Sequence, residues 1–116
     1  MSSLNELEKA VLEQMVRQAP DDLRVALKEK IDSAEVTGRK NTGAGFYAKL
    51  KVGKTSTSIK ARVVDNVWAD IEGFAQSMTF LVFLEDGAIH TLEGAAIDDS
   101  TVDVDFSNVR FAIKPG

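Results

Sequence analysis

The chain contains no cysteine. That removes disulfides, thiolate catalysis and any cysteine-containing zinc site at once, and it suits a reducing compartment. Histidine is almost as scarce: His90 is the only one, so a metal centre would have to be built mainly from carboxylates. Long apolar runs are missing too. The longest, Phe80 to Leu84, is far too short to cross a bilayer. Residues 1–9 lack the basic start and apolar block of a signal peptide, and the expectation is a cytoplasmic protein with no membrane partner. Positive charge is the minority sign, with 14 basic against 18 acidic side chains and a net charge of −4. Nucleic-acid binders usually carry a clustered basic face, so this balance argues against a nucleic-acid partner.

What is present describes one domain. At 116 residues, with 44% apolar and 28% charged residues, a single core can form without staples. Ser3 and Glu6 have the spacing of a capping box. Behind them Leu4, Leu7, Val11, Leu12, Met15 and Val16 recur at helical period, which predicts a helix over residues 4–18. Pro20, Asp21 and Asp22 fit a second start, with proline in the first turn and acids at the positive end of the dipole. Leu23, Leu27, Ile31 and Ala34 carry that helix over residues 20–34. The short break at Ala19 and Pro20 predicts a helical hairpin.

From Val36 the pattern changes. Thr37 to Gly45 reads as a turn-rich link, with room for a short strand at its start. Phe46, Ala48, Leu50 and Val52 then alternate with Tyr47, Lys49 and Lys51, the period of a strand over residues 46–52. Further strands fall within residues 62–73, 79–84, 88–94, 102–106 and 109–114. The last two read as a hairpin turning at Ser107 and Asn108, with Asp105 opposite Arg110 and the apolar residues on one face. The expected architecture is therefore α+β: an amino-terminal helical hairpin followed by a five- to six-stranded, mostly antiparallel sheet.

The centre of that sheet is the stretch from Phe80 to Gly94. Its Asp86-Gly87 pair between two apolar runs is a strong hairpin signal. A two-residue turn there pairs Leu84 with Ile89, Phe83 with His90 and Phe80 with Glu93. One face then carries Phe80, Val82, Leu84, Ile89, Thr91 and Glu93; the other carries Leu81, Phe83, Glu85, Ala88, His90 and Leu92. Both are largely apolar, so these strands should be covered on both sides. The helices can cover one. The other needs the Lys54 to Gln76 segment or a second subunit, and a homodimer is expected.

Chemistry is thin. His90 could serve as a general base or metal ligand, but a lone histidine on an apolar strand is more simply a packed, hydrogen-bonded residue. Glu93 lies on the opposite hairpin face from it. Beside Phe80 an isolated carboxylate would be costly and would need a cation; Arg39 is the expected partner, with an architectural pair the simpler reading and a ligand site the sharper one. Gly38, Gly43 and Gly45 invite a phosphate-loop reading, yet Gly43 is followed by Ala44 and a strand, not by lysine, a hydroxyl residue and a helix. Gly53-Lys54-Thr55 looks closer, but Ala48 stands where the first glycine belongs. Asp98, Asp99, Asp103 and Asp105 lack calcium-loop spacing. Lys49, Lys51, Lys54, Lys60 and Arg62 read as a solvated strand face that opposes aggregation. Ser56, Ser58 and Ser77 have no neighbouring base, and Trp68 reads as core or interface. No catalytic residue, metal or cofactor is expected.

Val36, Arg39, Thr42, Gly43, Gly45 and Phe46, followed by Asp86-Gly87, Ile89 and Leu92-Glu93-Gly94, resemble a family of small uncharacterised bacterial proteins. In these a helical segment precedes an Arg-x-x-Thr-Gly-x-Gly-Phe stretch and a Leu-Glu-Gly hairpin. The resemblance spans most of the chain and implies no activity. Where those relatives have aromatic or polar residues after Leu-Glu-Gly, this chain has Ala95-Ala96-Ile97. Two functions stay open. One is a non-enzymatic protein-interaction or oligomerising module. The other is an anion-binding domain or weak enzyme, with Arg39, Thr42, Gly43, Gly45, His90 and Glu93 as its candidate binding residues.

Overall fold

Two helices come first and a single antiparallel sheet follows, in a computed structural model that describes residues 3–51, 63–85 and 88–115. Helix α1 spans Glu6–Gln18 and α2 spans Asp21–Asp32. The capping box of α1 is not Ser3 with Glu6 but Asn5 with Glu8: the Glu8 N–H donates to the Asn5 side chain and the Asn5 N–H donates to the Glu8 carboxylate, both at 2.8 Å. Asparagine caps as well as serine does, and Glu8 has a second partner across the fold that Glu6 lacks. Pro20 caps α2 through its carbonyl, which accepts from the Leu23 and Arg24 N–H groups.

The strands are β1 (Glu35–Asn41), β2 (Gly45–Lys51), β3 (Val63–Ile71), β4 (Met78–Glu85), β5 (Ala88–Ala95) and β6 (Phe111–Pro115). They lie in the order β1-β2-β5-β4-β3-β6, each antiparallel to its neighbours. The fold is α+β, as the periodicity implies. The turn-rich link is in fact mostly strand β1. A register shift between Val36 and Gly38 breaks its alternation, and all but Val36 is exposed, so no period of two survives to be read.

The carboxy-terminal hairpin does not form. Residues 96–110 cross the end of the sheet without a strand, and β6 pairs with β3 instead. Asp105 does not face Arg110. It accepts from the Ser107 N–H at 3.0 Å and the Asn108 amide at 2.7 Å, closing its own turn, a local alternative that aspartate commonly offers the backbone. Phe106 is buried against Phe46, with ring centroids 4.6 Å apart.

The core lies between the helices and one sheet face. Leu7, Val11, Leu12 and Met15 of α1 and Leu27 of α2 meet Ala48, Val67, Phe80, Val82 and Leu92 in a single buried cluster. Helix α1 lies against β3 and β6, and α2 against β5. The side chain of Gln18 ties the end of α1 to the Asn66 carbonyl at 2.9 Å.

The central hairpin departs from the simple register. Leu84 pairs with Ile89, but a bulge between Phe83 and Leu84 admits His90 as an extra residue. Beyond it Phe83 faces Thr91, Val82 faces Leu92, Leu81 faces Glu93 and Phe80 faces Gly94. Leu92 therefore moves into the core and Glu93 out of it. The Asp86-Gly87 turn lies outside the described residues. Of the segment expected to cover the second face, Val63–Ile71 is itself a strand of the sheet, while residues 54–62 lie outside the described residues.

Candidate functional site

The six residues singled out from the sequence fall in three separate places. Arg39 sits on β1 opposite Ala48, on the helix-facing side. Its partner is Glu8, not Glu93. The Arg39 Nε donates to Glu8 Oε2 and Nη2 donates to Oε1, both at 2.8 Å, and Nη2 also donates to the Ser3 carbonyl at 2.9 Å. The Glu8 side chain is fully buried, whereas that of Arg39 is 32% exposed. The hydrogen bond to Glu8 raises the arginine's affinity for its proton; partial burial opposes this, and the Glu8 charge adds to it. Arg39 is thus a permanent cation serving a buried carboxylate that also caps α1. A cavity of about 170 Å³ beside the pair is lined by Asn5, Arg39, Asn41, Phe46 and Phe106.

Thr42, Gly43 and Gly45 form the β1–β2 turn and anchor the segment that crosses the sheet end. Buried Thr101 organises them, although nothing in the sequence distinguishes it from other loop threonines. Its hydroxyl donates to Asn41 Oδ1 at 2.8 Å and accepts from the Gly45 N–H at 2.9 Å, and its own N–H donates to the Gly43 carbonyl at 2.9 Å. The Gly43 N–H donates to Asn41 Oδ1 at 2.9 Å and the Thr42 N–H to the Gly45 carbonyl at 3.0 Å. These backbone donors are already used, so the turn is a fastening, not a phosphate cradle. Gly45 is required there: its φ is +142°, and a Cβ would lie 2.0 Å from the Gly94 carbonyl oxygen.

His90 and Glu93 belong to the third place, the sheet surface turned away from the helices. His90 is exposed, with its Nδ1 2.7 Å from the Thr91 hydroxyl. Glu93 is half-buried between its strand partners Tyr47 and Leu81. Among the described residues no group of three histidine, aspartate or glutamate side chains is placed to hold a metal.

That outer surface is the second apolar face expected from the hairpin, but Tyr47, Leu81, Phe83 and Val63 were not among the candidate site residues. Its middle row runs Lys40, Tyr47, Glu93, Leu81 across four strands. The next row toward the end of β2 runs Lys49, Thr91, Phe83, Val63, and the row on the other side runs Ala95, Thr79, Trp68, Lys114. Tyr47, Trp68 and Leu81 are half-buried, while Phe83 is 39% and Val63 43% exposed. The lysines of β2 are therefore not on a sheet edge. Beyond Trp68 the rim is polar: Asp70 accepts from the Ser77 hydroxyl and pairs with Lys114 at 3.0 Å, contacts that hold its carboxyl below the usual range, the serine bond contributing most.

A groove of about 540 Å³ between the helices and the start of β1 is lined by Leu4, Val16, Ile31 and charges of both signs. No helix among the described residues is long and apolar enough to cross a membrane. The chain matches no protein-family model, no curated protein and no solved structure.

Proposed function

We propose that this protein is a non-enzymatic interaction module of a bacterial cytoplasm that binds a protein partner, homodimerisation included, through the outer face of its sheet. The observation that carries this reading is the cluster of Tyr47, Leu81, Phe83, Trp68 and Val63, spread over three adjacent rows of a surface that the helices leave open. The core on the opposite face already accounts for folding. Apolar and aromatic residues gathered on one surface with a charged rim are the composition of an interface. The bacterial setting rests on the family resemblance, and the cytoplasmic one on the absence of cysteine.

Photo-crosslinking in cells tests this role. A benzophenone side chain at position 83 is expected to give a discrete higher-mass adduct, while one at Val25 on α2, 70% exposed, gives none. Equal yields at both positions, or no adduct at 83, would overturn the reading.

A second reading, an anion-binding domain or weak enzyme, is supported by the 170 Å³ cavity that reaches Arg39. Glu8 already neutralises that cation, and His90 and Glu93 lie on the other side of the sheet, which ranks it second. A melting shift with inorganic phosphate that vanishes in Arg39→Lys would favour it.

A further inference from the structure

We infer that strand β1 pairs edge to edge with the β1 of a second copy of this chain, extending the sheet across a two-fold axis perpendicular to it. This dimer uses a different surface from the one proposed above and does not depend on it. The sheet has two free edges, β1 and β6. Strand β6 is five residues long, ends in Pro115, which has no N–H to offer, and lies against α1. Strand β1 has seven residues, no proline, and only Val36 buried. The Thr42 N–H donates to the Gly45 carbonyl at 3.0 Å. Alternation from that pair, allowing for the bulge at Thr37, turns the backbone groups of Asn41, Arg39 and Val36 outward. Among the described residues nothing bonds to them. An open row of donors and acceptors is a template for another strand.

Register and charge together name the strand that fits. Glu35 and Lys40 both stand on the outer side of β1, opposite Lys51 and Tyr47, and neither is ion-paired among the described residues. An antiparallel copy centred between Thr37 and Gly38 sets Val36 against the second copy's Arg39, outward groups meeting outward groups. The same register sets Glu35 against the second copy's Lys40, and symmetry makes each contact twice. It also lays bulge against bulge, so the extra residue Thr37 throws neither strand out of step. Other registers do worse. Centring on Arg39 or on Lys40 puts like charges opposite each other, and pairing Val36 with Asn41 leaves the Arg39 groups unmet. Centring on Val36 or on Asn41 pairs only one end of the strand. Lysine on an open edge deters chance pairing; here it rejects the wrong registers while Glu35 admits one. A foreign strand fits only if it carries the same two charges at the same spacing. Gly38 is an independent support. Its backbone is not left-handed and, among the described residues, a Cβ there would meet nothing within 4 Å, so its own chain has no need of glycine. Glycine inside a strand often marks the close approach of another backbone, and the axis passes beside it.

The chain has no cysteine, so introduced ones report the register. Across the axis Glu35 and the second copy's Lys40 form a non-hydrogen-bonded pair with Cα atoms about 4.5 Å apart, within disulfide reach. Both side chains are exposed, so neither replacement threatens the fold. Glu35→Cys mixed with Lys40→Cys and oxidised should give a linked product of two 12.6 kDa chains. Either variant alone should give little, because like positions lie about 17 Å apart across the axis. An edge of seven residues buries less than about 1,200 Å², the class of transient contacts, so sedimentation should span about 1 μM to about 1 mM. The mass should rise toward two chains over that range, with amide exchange at Val36 and Arg39 slowing in step. Lys40→Glu and Glu35→Lys should each weaken association by about tenfold. Mixing those two variants, or combining both changes in one chain, should restore it. A strict monomer throughout, no mixed disulfide, or either cysteine variant linking alone as readily as the mixture overturns the dimer. Slowed exchange only when an extended peptide is added, the chain itself staying monomeric, would give the edge to a foreign strand and overturn the second copy. If position 83 gives no adduct in cells while the mixed disulfide forms, the edge dimer stands and only the outer-face role is lost.

Discussion

Replacing Arg39 with methionine removes the only cation that the described residues place on Glu8. Its carboxylate now accepts two charge-assisted bonds from Arg39 and one from the Asn5 N–H, all at 2.8 Å. Breaking a buried ion pair by deleting one partner costs about 3–5 kcal/mol, because the other charge is stranded. Arg39 is 32% exposed, so water can follow into the vacated space, and about 2–3 kcal/mol is the better expectation. That is a large part of the roughly 5–15 kcal/mol that stabilises a domain of this kind. With a urea m-value of about 2 kcal/mol/M, the midpoint should fall by about 1–1.5 M.

Urea titration followed by far-UV circular dichroism and by Trp68 fluorescence reads this directly, provided both probes report one transition. Glu8→Leu should cost less, since its arginine can turn to water, although the Asn5 N–H loses its acceptor at about 1 kcal/mol. The double variant Glu8→Leu with Arg39→Met should be more stable than the sum of the single losses, because no charge is left buried. A midpoint within about 0.3 M of the parent for Arg39→Met, or strict additivity in the double variant, would refute the reasoning.

Glycine 94 sits under two rings: a Cβ there would lie 2.7 Å from Phe80 and 2.9 Å from Phe46, so Gly94→Ala should lower stability by about 1–3 kcal/mol in the same titration. Gly45→Ala meets backbone instead and should fail to give a cooperative unfolding transition at all. Thr101→Val strips the hydroxyl between Asn41 and the Gly45 N–H, leaving both without that partner at a cost of about 1–3 kcal/mol, read as a drop in Tm. Asp70 and Asp105 are held below the ordinary carboxyl value of 3.8, Asp70 mainly by the Ser77 hydroxyl and then Lys114, Asp105 mainly by the Asn108 amide and then the Ser107 N–H. A carboxyl depressed in the folded state stabilises fully above 3.8 and loses that contribution as pH falls through its lower folded value. Asp105→Asn should therefore flatten the loss of stability below pH 3.8 relative to the parent, and an unchanged acid profile would count against the turn's bonds.

The helices and five of the six strands were legible because their cores are periodic: Leu7, Val11 and Met15 at helical spacing, Phe46, Ala48 and Leu50 at every second residue. Strand β1 was not, since a strand at the sheet edge with one buried residue carries no hydrophobic alternation. The supposed strand at 102–106 had alternation without partners: Val102 is exposed and only Phe106 is buried. Alternation states which residues could share a face, not whether a neighbouring strand exists to receive them. Arg39 was recognised as the cation of an ion pair, but its carboxylate was sought on β5 when it stands on α1. Glu8 reads as an ordinary helix-surface glutamate until the fold brings β1 against it.

The bulge at His90 explains why the second apolar face was expected but its residues were assigned wrongly. Without it, Glu93 would have stood beside Phe80 in the core and Leu92 would have faced outward. Burying that carboxylate unpaired would have cost several kcal/mol, and exposing Leu92 would have forfeited about 2 more. Extruding one exposed histidine avoids both. The same shift brings Gly94 under Phe80 and Phe46, the one residue type with room there, and lines up Tyr47, Glu93 and Leu81 on the outer surface. Sealing the core and assembling the outer row are thus consequences of a single inserted residue, so selection for stability alone suffices to place Glu93 outside. It does not account for Phe83, Trp68 and Tyr47 beside it, where polar side chains would serve the fold equally well. Their presence is what the interaction role proposed above would explain.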